Sequence, residues 1–150
     1  MRRNRNLQRP LLFALLIGLA FLQQIASAAQ APAIEGYSPV SYFTKNAAER
    51  GSPEFQAEYE GKIYYLSSDE QVALFNENPQ KYVPRFGAYC PYSLAHGRRV
   101  EIDPASFKIV GGTLLLFHKS EQLDAREEWG KGDEDEQLEA ATGEFILFRF

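Results

Sequence analysis

The sequence predicts an α+β fold, a single compact domain in which small antiparallel β-hairpins pack with short helices. Two pairs of strand-like runs are each joined by two residues that favour a tight turn, Glu60-Gly61 and Gly111-Gly112. Short helical segments with recognisable start and stop residues lie between and after these hairpins. No strand–helix–strand alternation of parallel type is present in the pattern. Mixed elements with short connections are typical of the α+β class.

The two hairpins are predicted from their patterns of aromatic and β-branched residues. The first pairs residues 55–59 with 62–66, and the second pairs residues 107–110 with 113–117. A glycine in each turn supplies the positive φ that a two-residue hairpin loop requires.

The first predicted helices are identified by their N-terminal residues. Ser38-Pro39 marks the start of a helical turn through residue 43, with proline at the first helical position. Ser68 followed by Gln71 is a capping-box pattern and predicts a helix over residues 69–76. Asn78-Pro79 ends that helix and begins a second turn over 79–82.

The second half of the chain contains three more predicted helices. Cys90-Pro91 begins a helix that runs to His96, where Gly97 can end it. Ser120 is predicted to cap a helix over 121–129. The acidic run 133–139 predicts a solvated helix, and an apolar tail, 145–150, follows it.

The first residues have the pattern of an export signal. Four arginines (Arg2, Arg3, Arg5 and Arg9) precede a 12-residue apolar run at 11–22, and Ala26-Ser27-Ala28 fits a signal-peptidase site. The run is short for a bilayer span, and cleavage after Ala28 is therefore favoured over an uncleaved anchor. We expect a signal peptide at 1–28, a linker at 29–34, a domain at 35–130 and a C-terminal region at 131–150. The expected location is the periplasm or the secreted fraction.

Charge excludes some partner classes. Beyond residue 28 the chain contains 12 Lys and Arg against 20 Asp and Glu. A strongly acidic domain argues against binding nucleic acid or an anionic membrane surface. The acids at 133–136 are surrounded by charge, which favours a solvated face over a catalytic pair or a calcium loop.

Several motifs resemble the YHS domain family, in its exported single-domain branch. The residues that carry the resemblance are 59–68, 74–82 and the flanking segments 36–43 and 87–92. The family implies an α+β fold of hairpins and short helices and is often linked to heavy-metal handling. Metal-transport relatives have cysteines at the end of the second strand, where this chain has Ser67-Ser68. The branch's own cysteine is matched by Cys90.

Cys90 is the one cysteine of the chain, so it has no internal disulfide partner. At the start of a helix its sulfur would face unpaired amides, which favours a thiolate, a soft ligand for a metal such as copper. His118 and His96 are the secondary candidate ligands, although His96 would point about 120° away from Cys90 along one helix. A four-ligand zinc site is excluded by the scarcity of ligands. The opposing interpretation is a cysteine packed inertly among aromatic neighbours.

We therefore interpret the chain as an exported, non-enzymatic YHS-like binding module for a soft transition metal or a small ligand, with Cys90 as its first contact. Two alternatives stay open. One is a thiol-dependent redox or transfer enzyme that uses Cys90. The other is a structural or interaction domain with a buried cysteine. The oligomeric state is left open.

Overall fold

The computed structural model describes residues 30–148. The predicted signal peptide and its cleavage site lie outside these residues. Within them the structure is a mixture of helices and two small antiparallel sheets of two strands each. The predicted α+β class is confirmed.

The first hairpin pairs β1 (Ser52–Tyr59) with β2 (Lys62–Leu66). Tyr59 lies opposite Lys62, and Glu60 and Gly61 both have positive φ, 49° and 70°, as a type I′ turn requires. The pairing is irregular between Ser52 and Gln56, which extends β1 beyond the predicted strand. This hairpin therefore has the predicted register at its turn and a bulge at its far end.

The second hairpin pairs β3 (Phe107–Val110) with β4 (Thr113–Leu116). Its turn glycines, Gly111 and Gly112, have φ of 54° and 77°. Three consecutive residues of β4, Leu114 to Leu116, are buried, and Phe117 is buried directly after the strand. A strand with one solvent-exposed face would bury only alternate residues. Since consecutive residues are buried here, β4 is covered on both faces.

Three helices belong to the N-terminal half, after a short turn at Ala33–Gly36: α1 (Pro39–Thr44), α2 (Asp69–Glu77) and α3 (Pro79–Tyr82). The Ser68 hydroxyl accepts a hydrogen bond from the Gln71 amide at 3.3 Å, as the capping pattern predicts. The Gln71 side chain does not close the box on Ser68. Its carbonyl oxygen instead accepts from the Ser67 amide at 3.1 Å.

The C-terminal half contains α4 (Pro91–Ala95), α5 (Ala125–Trp129) and α6 (Glu134–Leu147). The predicted start of α5 at Ser120 is wrong. The residues after Ser120 form a turn closed by a hydrogen bond from the Ser120 amide to the Leu123 carbonyl, and Asp124 caps the helix by accepting from the Glu127 amide.

Helix α6 joins the acidic run and the first half of the predicted apolar tail, residues 145–147, into one element. Asp133 caps it by accepting from the Glu136 amide at 3.0 Å. Ala141 is fully buried, and Phe145 packs edge-on against Phe86 at 5.5 Å between ring centroids. The helix is therefore solvated on its acidic side and covers α4 and its neighbours with the other side.

Buried side chains form two clusters. The N-terminal cluster lies between the first hairpin and helices α1–α3, and consists of Val40, Ala57, Tyr64, Leu66, Phe75 and Tyr82. The C-terminal cluster surrounds the second hairpin and includes Tyr42, Phe86, Cys90, Leu94, Ile102, Leu114, Leu115, Leu116, Phe117, Ala125, Trp129 and Ala141. Tyr42 projects from α1 into the C-terminal cluster and donates a hydrogen bond to the Pro104 carbonyl at 2.8 Å.

Among residues 30–148, no helix combines the length and the apolar content needed to cross a bilayer.

Candidate functional site

Cys90 occupies the residue before α4, as predicted, but its sulfur is not presented to solvent. The residue is 0% exposed and belongs to the C-terminal cluster. Its side chain makes no capping hydrogen bond, whereas its backbone amide donates to Val100 at 2.9 Å and its carbonyl accepts from Leu94 at 3.0 Å. Of the two interpretations of Cys90, this burial favours the cysteine packed inertly among its neighbours over a sulfur that is open at the helix start.

Each of the two histidines has one ring nitrogen within hydrogen-bond distance of a backbone carbonyl. His96 Nδ1 lies 2.8 Å from the Tyr92 carbonyl, one turn earlier, and His118 Nδ1 lies 3.0 Å from the Glu101 carbonyl. A carbonyl can only accept, so Nδ1 carries a proton in both contacts. Neither histidine contact involves Cys90.

Within residues 30–148, no three His, Cys, Asp or Glu side chains converge in a way that could hold a metal ion. The assignment of Cys90, His118 and His96 as copper ligands therefore gains no support from the geometry, and it stays a prediction.

A buried polar network joins α1 to α2 in the N-terminal half. The Ser38 hydroxyl donates to the Gln71 side-chain oxygen at 2.6 Å, and the Gln71 amide group donates to Ser41 at 3.0 Å. Ser41 in turn donates to a Glu49 carboxylate oxygen at 2.7 Å. Hydrogen bonds from Lys45 and then from Ser41 lower the pKa of Glu49 to about 2. The side chains of Ser38, Ser41, Gln71 and Glu49 each have at least one hydrogen-bond partner within this network, which indicates a structural role.

A groove of about 980 Å³ lies at the turn end of the first hairpin. It is bordered by that hairpin, by the segment from Gln80 to Tyr89, by the second hairpin turn and by α6. Its lining residues, called here the groove, are Tyr59, Glu60, Lys62, Tyr64, Gln80, Lys81, Val83, Pro84, Arg85, Phe86, Gly87, Ala88, Tyr89, Gly112, Thr113 and Phe145.

A smaller recess of about 230 Å³ adjoins the groove. It is lined by Ala31, Ala33, Ile34, Lys62, Tyr64, Pro84, Gly87 and Ala88, and its last five residues also line the groove. Apart from Lys62 and the Tyr64 hydroxyl, the recess side chains are apolar. An apolar recess therefore opens beside a polar groove.

Tyr64 stands where the two cavities meet. It is 5% exposed, and its ring packs against Phe75 at 5.1 Å between centroids. Its hydroxyl has no hydrogen-bond partner among residues 30–148. Burial, and to a smaller extent the negative charge of Glu60, raises the pKa of Tyr64 to about 12. The phenol therefore stays neutral and able to donate a hydrogen bond at every physiological pH.

Three basic side chains line the groove, from Lys62, Lys81 and Arg85. The Arg85 guanidinium donates to the Thr142 hydroxyl at 3.1 Å and lies 5.6 Å from the centre of the Phe86 ring. The Lys81 ammonium lies 5.1 Å from the centre of the Tyr82 ring. In the described part of the chain, none of the three has a carboxylate oxygen within 4.0 Å.

The residue types that predict a metal site, Cys90, His118 and His96, do not line this groove, so the sequence patterns did not indicate it. A signal was available in β2. Lys62 and Tyr64 are two residues apart on a strand, so their side chains share one face, and a cation beside a buried phenol is unusual on a face that packs.

Comparison with known proteins adds no relative. No protein-family model matches the chain, and neither the curated proteins nor the solved structures contain a match.

Proposed function

We propose that this domain is a non-enzymatic, YHS-like binding module that is exported and takes a small ligand in the groove and its adjoining recess. The YHS assignment rests on the sequence motifs at 59–68 and 74–82. Those motifs cover the turn and second strand of the first hairpin, the second half of α2 and all of α3, and residues of that hairpin and of α3 line the groove.

The observation that carries the proposal is the meeting of an apolar recess with a polar groove at Tyr64. Ligand sites in proteins are concave and mostly apolar, with a few polar groups that fix orientation. The Tyr64 ring is buried, but its hydroxyl is not among the buried polar atoms that lack a partner, so it is open to the cavities that Tyr64 lines. A ligand that accepts a hydrogen bond from this hydroxyl would replace water there.

The proposal moves the binding site away from Cys90. A copper site or an activated thiol at Cys90 would require the C-terminal cluster to open, because the residue has no exposed surface. A buried thiol serves instead as a small hydrophobic residue. That burial favours a cysteine that stabilises the domain over one that transfers electrons or groups.

The proposal is tested by blocking the groove. Ala88 is exposed and borders both cavities, so Ala88→Trp places an indole where a ligand would lie. Ala140 is exposed on α6 and borders neither cavity, so Ala140→Trp is the matched control. Both variants and the wild type are screened by ligand-observed NMR against one mixed library of small aromatic and aliphatic fragments.

We expect fragments that bind the wild type and Ala140→Trp and lose binding to Ala88→Trp. Thr113→Trp, which obstructs the groove from the second hairpin turn, should give the same loss if Ala88→Trp does not fold. A library without any binder, or binders retained by both blocking variants, would contradict the proposal.

A further inference from the structure

We infer that the ligand is a small organic anion, with its apolar body in the recess and its acidic head group among Lys62, Lys81 and Arg85. This inference rests on the proposed function and names the ligand class for that same site.

The groove lining has a net positive charge within an acidic domain, although cations without a carboxylate partner, Arg98 among them, also occur outside the groove. Lys45, Lys119 and Lys131 each pair with a carboxylate at 2.6–2.8 Å, and Lys108 pairs with Glu134. The three groove cations have no such pairing among residues 30–148. Glu60 is the single acidic residue of the groove, so the lining has a net positive charge. A concave positive site within a negative domain concentrates anions.

Arg85 and Lys62 are held in place by neighbouring groups. The hydrogen bond to Thr142 and the Phe86 ring fix the Arg85 guanidinium while leaving other N–H donors available. The Lys62 ammonium lies 3.6 Å from the position that a β-carbon would occupy at Gly87, so it extends over a residue without a side chain. Gly87 has φ of 60°, which disfavours any replacement that would crowd this ammonium.

The recess sets the nature of the ligand body. Its apolar lining comes from Ala31, Ala33, Ile34, Pro84 and Ala88. An apolar cavity of about 150 Å³ already holds benzene, so the roughly 230 Å³ here suits an aromatic ring system or a short alkyl chain.

The position of Tyr64 joins the two parts. Its neutral hydroxyl donates, and a carboxylate accepts without competing donors. Lys62 also borders both cavities, so a cation and a donor flank the passage from the recess to the groove. A ligand whose acidic group is attached directly to its apolar body matches that spacing.

The test uses 2-naphthoate as the probe, with 2-naphthamide as its neutral counterpart and inorganic phosphate as an anion without an apolar body. Affinities are measured by calorimetry for the wild type, Lys62→Gln, Tyr64→Phe and Arg98→Gln. Arg98 is exposed, has no carboxylate partner among residues 30–148 and does not border the groove. Arg98→Gln therefore removes one positive charge at a place away from the groove.

We expect naphthoate to bind about tenfold more tightly than the amide or phosphate, and to weaken as salt is added. Lys62→Gln and Tyr64→Phe should each weaken naphthoate by about fivefold, with Arg98→Gln close to wild type. If naphthoate and naphthamide bind equally tightly and Ala88→Trp binds neither, the inference that the ligand is an anion is overturned, whereas the proposal of a binding module is supported. Absence of naphthoate binding, equal effects of Lys62→Gln and Arg98→Gln, or phosphate binding as tightly as naphthoate would also overturn the inference.

Discussion

The N-terminal and C-terminal clusters differ in the side chain that each contributes to the groove. The C-terminal cluster encloses the second hairpin on both sides and contains the one cysteine and the one tryptophan, each with at most 1% exposure. It reaches the groove through the Phe86 ring, whereas the N-terminal cluster reaches it through the Tyr64 phenol. Cys90 does not line the groove, and neither do Ser93 and Ser106, the residues among 30–148 whose buried hydroxyls have no partner.

The difference shows that the presence of a soft, nucleophilic side chain is a weak indication of where a binding site lies. A thiol loses little on burial and packs as an apolar group. A phenol or an ammonium group loses hydration when it is buried or crowded, so leaving one without a protein partner has a cost that a ligand can offset. The location of unsatisfied polar groups beside a cavity is the stronger indication.

The largest effect that would test this contrast is expected from Trp129→Ala. Trp129 packs against Phe117 at 5.6 Å between ring centroids, and its indole N–H donates to Glu134 at 3.0 Å. Removing it from a closed cluster should lower the free energy of unfolding by about 3–5 kcal/mol, measured by urea denaturation. Leu147→Ala, at a residue 72% exposed on α6, is the control and should have little effect. A loss below about 1 kcal/mol would show that the C-terminal cluster is looser than its burial indicates.

The next effect concerns the thiol itself. Cys90→Ala should lower the free energy of unfolding by about 1 kcal/mol or somewhat more, because a buried sulfur is replaced by a small void. In the native protein the thiol should resist a disulfide reagent until the chain unfolds. Reaction rates with the reagent are measured in buffer and in denaturant. A native thiol that reacts as fast as the denatured one would show that Cys90 is accessible, and would reopen the copper and redox interpretations.

Local rules predicted the fold well because each element begins and ends on residues with short-range effects. The Glu60-Gly61 and Gly111-Gly112 turns, the Ser68 cap and the proline at Pro91 act within a few residues, and the structure has all of them. The start of α5 was missed because Ser120 and Asp124 both suit a cap. A salt bridge from Lys119 to Asp124 at 2.8 Å spans the turn between them, and nothing in the local pattern indicates it.

The site was not predictable in the same way, since it depends on contacts between distant segments. Lys62 and Arg85 border one groove only because the first hairpin packs beside the segment that precedes α4. Cys90 was placed correctly along the chain, but the direction of its side chain depends on β4 and α6, which lie later in the sequence. Sequence periodicity gives the local face of a residue and not what covers that face.

A smaller effect separates a satisfied buried serine from an unsatisfied one. Ser41 is buried and bonds to Gln71 and Glu49, whereas the buried Ser93 hydroxyl has no hydrogen-bond partner among residues 30–148. Ser41→Ala should destabilise by about 1–2 kcal/mol, because it leaves polar partners unpaired. Ser93→Ala should be close to neutral, since no hydrogen bond is lost. Urea denaturation of the two variants is the measurement, and equal losses would show that the Ser93 hydroxyl has a partner in solution.

The smallest effect is a pH dependence from the same network. The pKa of Glu49 falls from 4.5 to about 2 in the folded state, so the unfolded chain binds the proton more tightly. The stabilisation is therefore complete above about pH 4.5 and is lost as the pH falls toward 2. The Glu49 side chain is 34% exposed, and screening by solvent limits the gain in folding free energy to below about 1 kcal/mol.

Glu49→Gln should lose less stability than the wild type between pH 4.5 and pH 2, in acid titrations followed by circular dichroism. Glu54→Gln, at an exposed residue outside the network, should keep the wild-type slope. If Glu49→Gln keeps that slope as well, the charge on Glu49 does not stabilise the contact between α1 and α2, and the neutral hydrogen bonds of Gln71 hold the two helices together on their own.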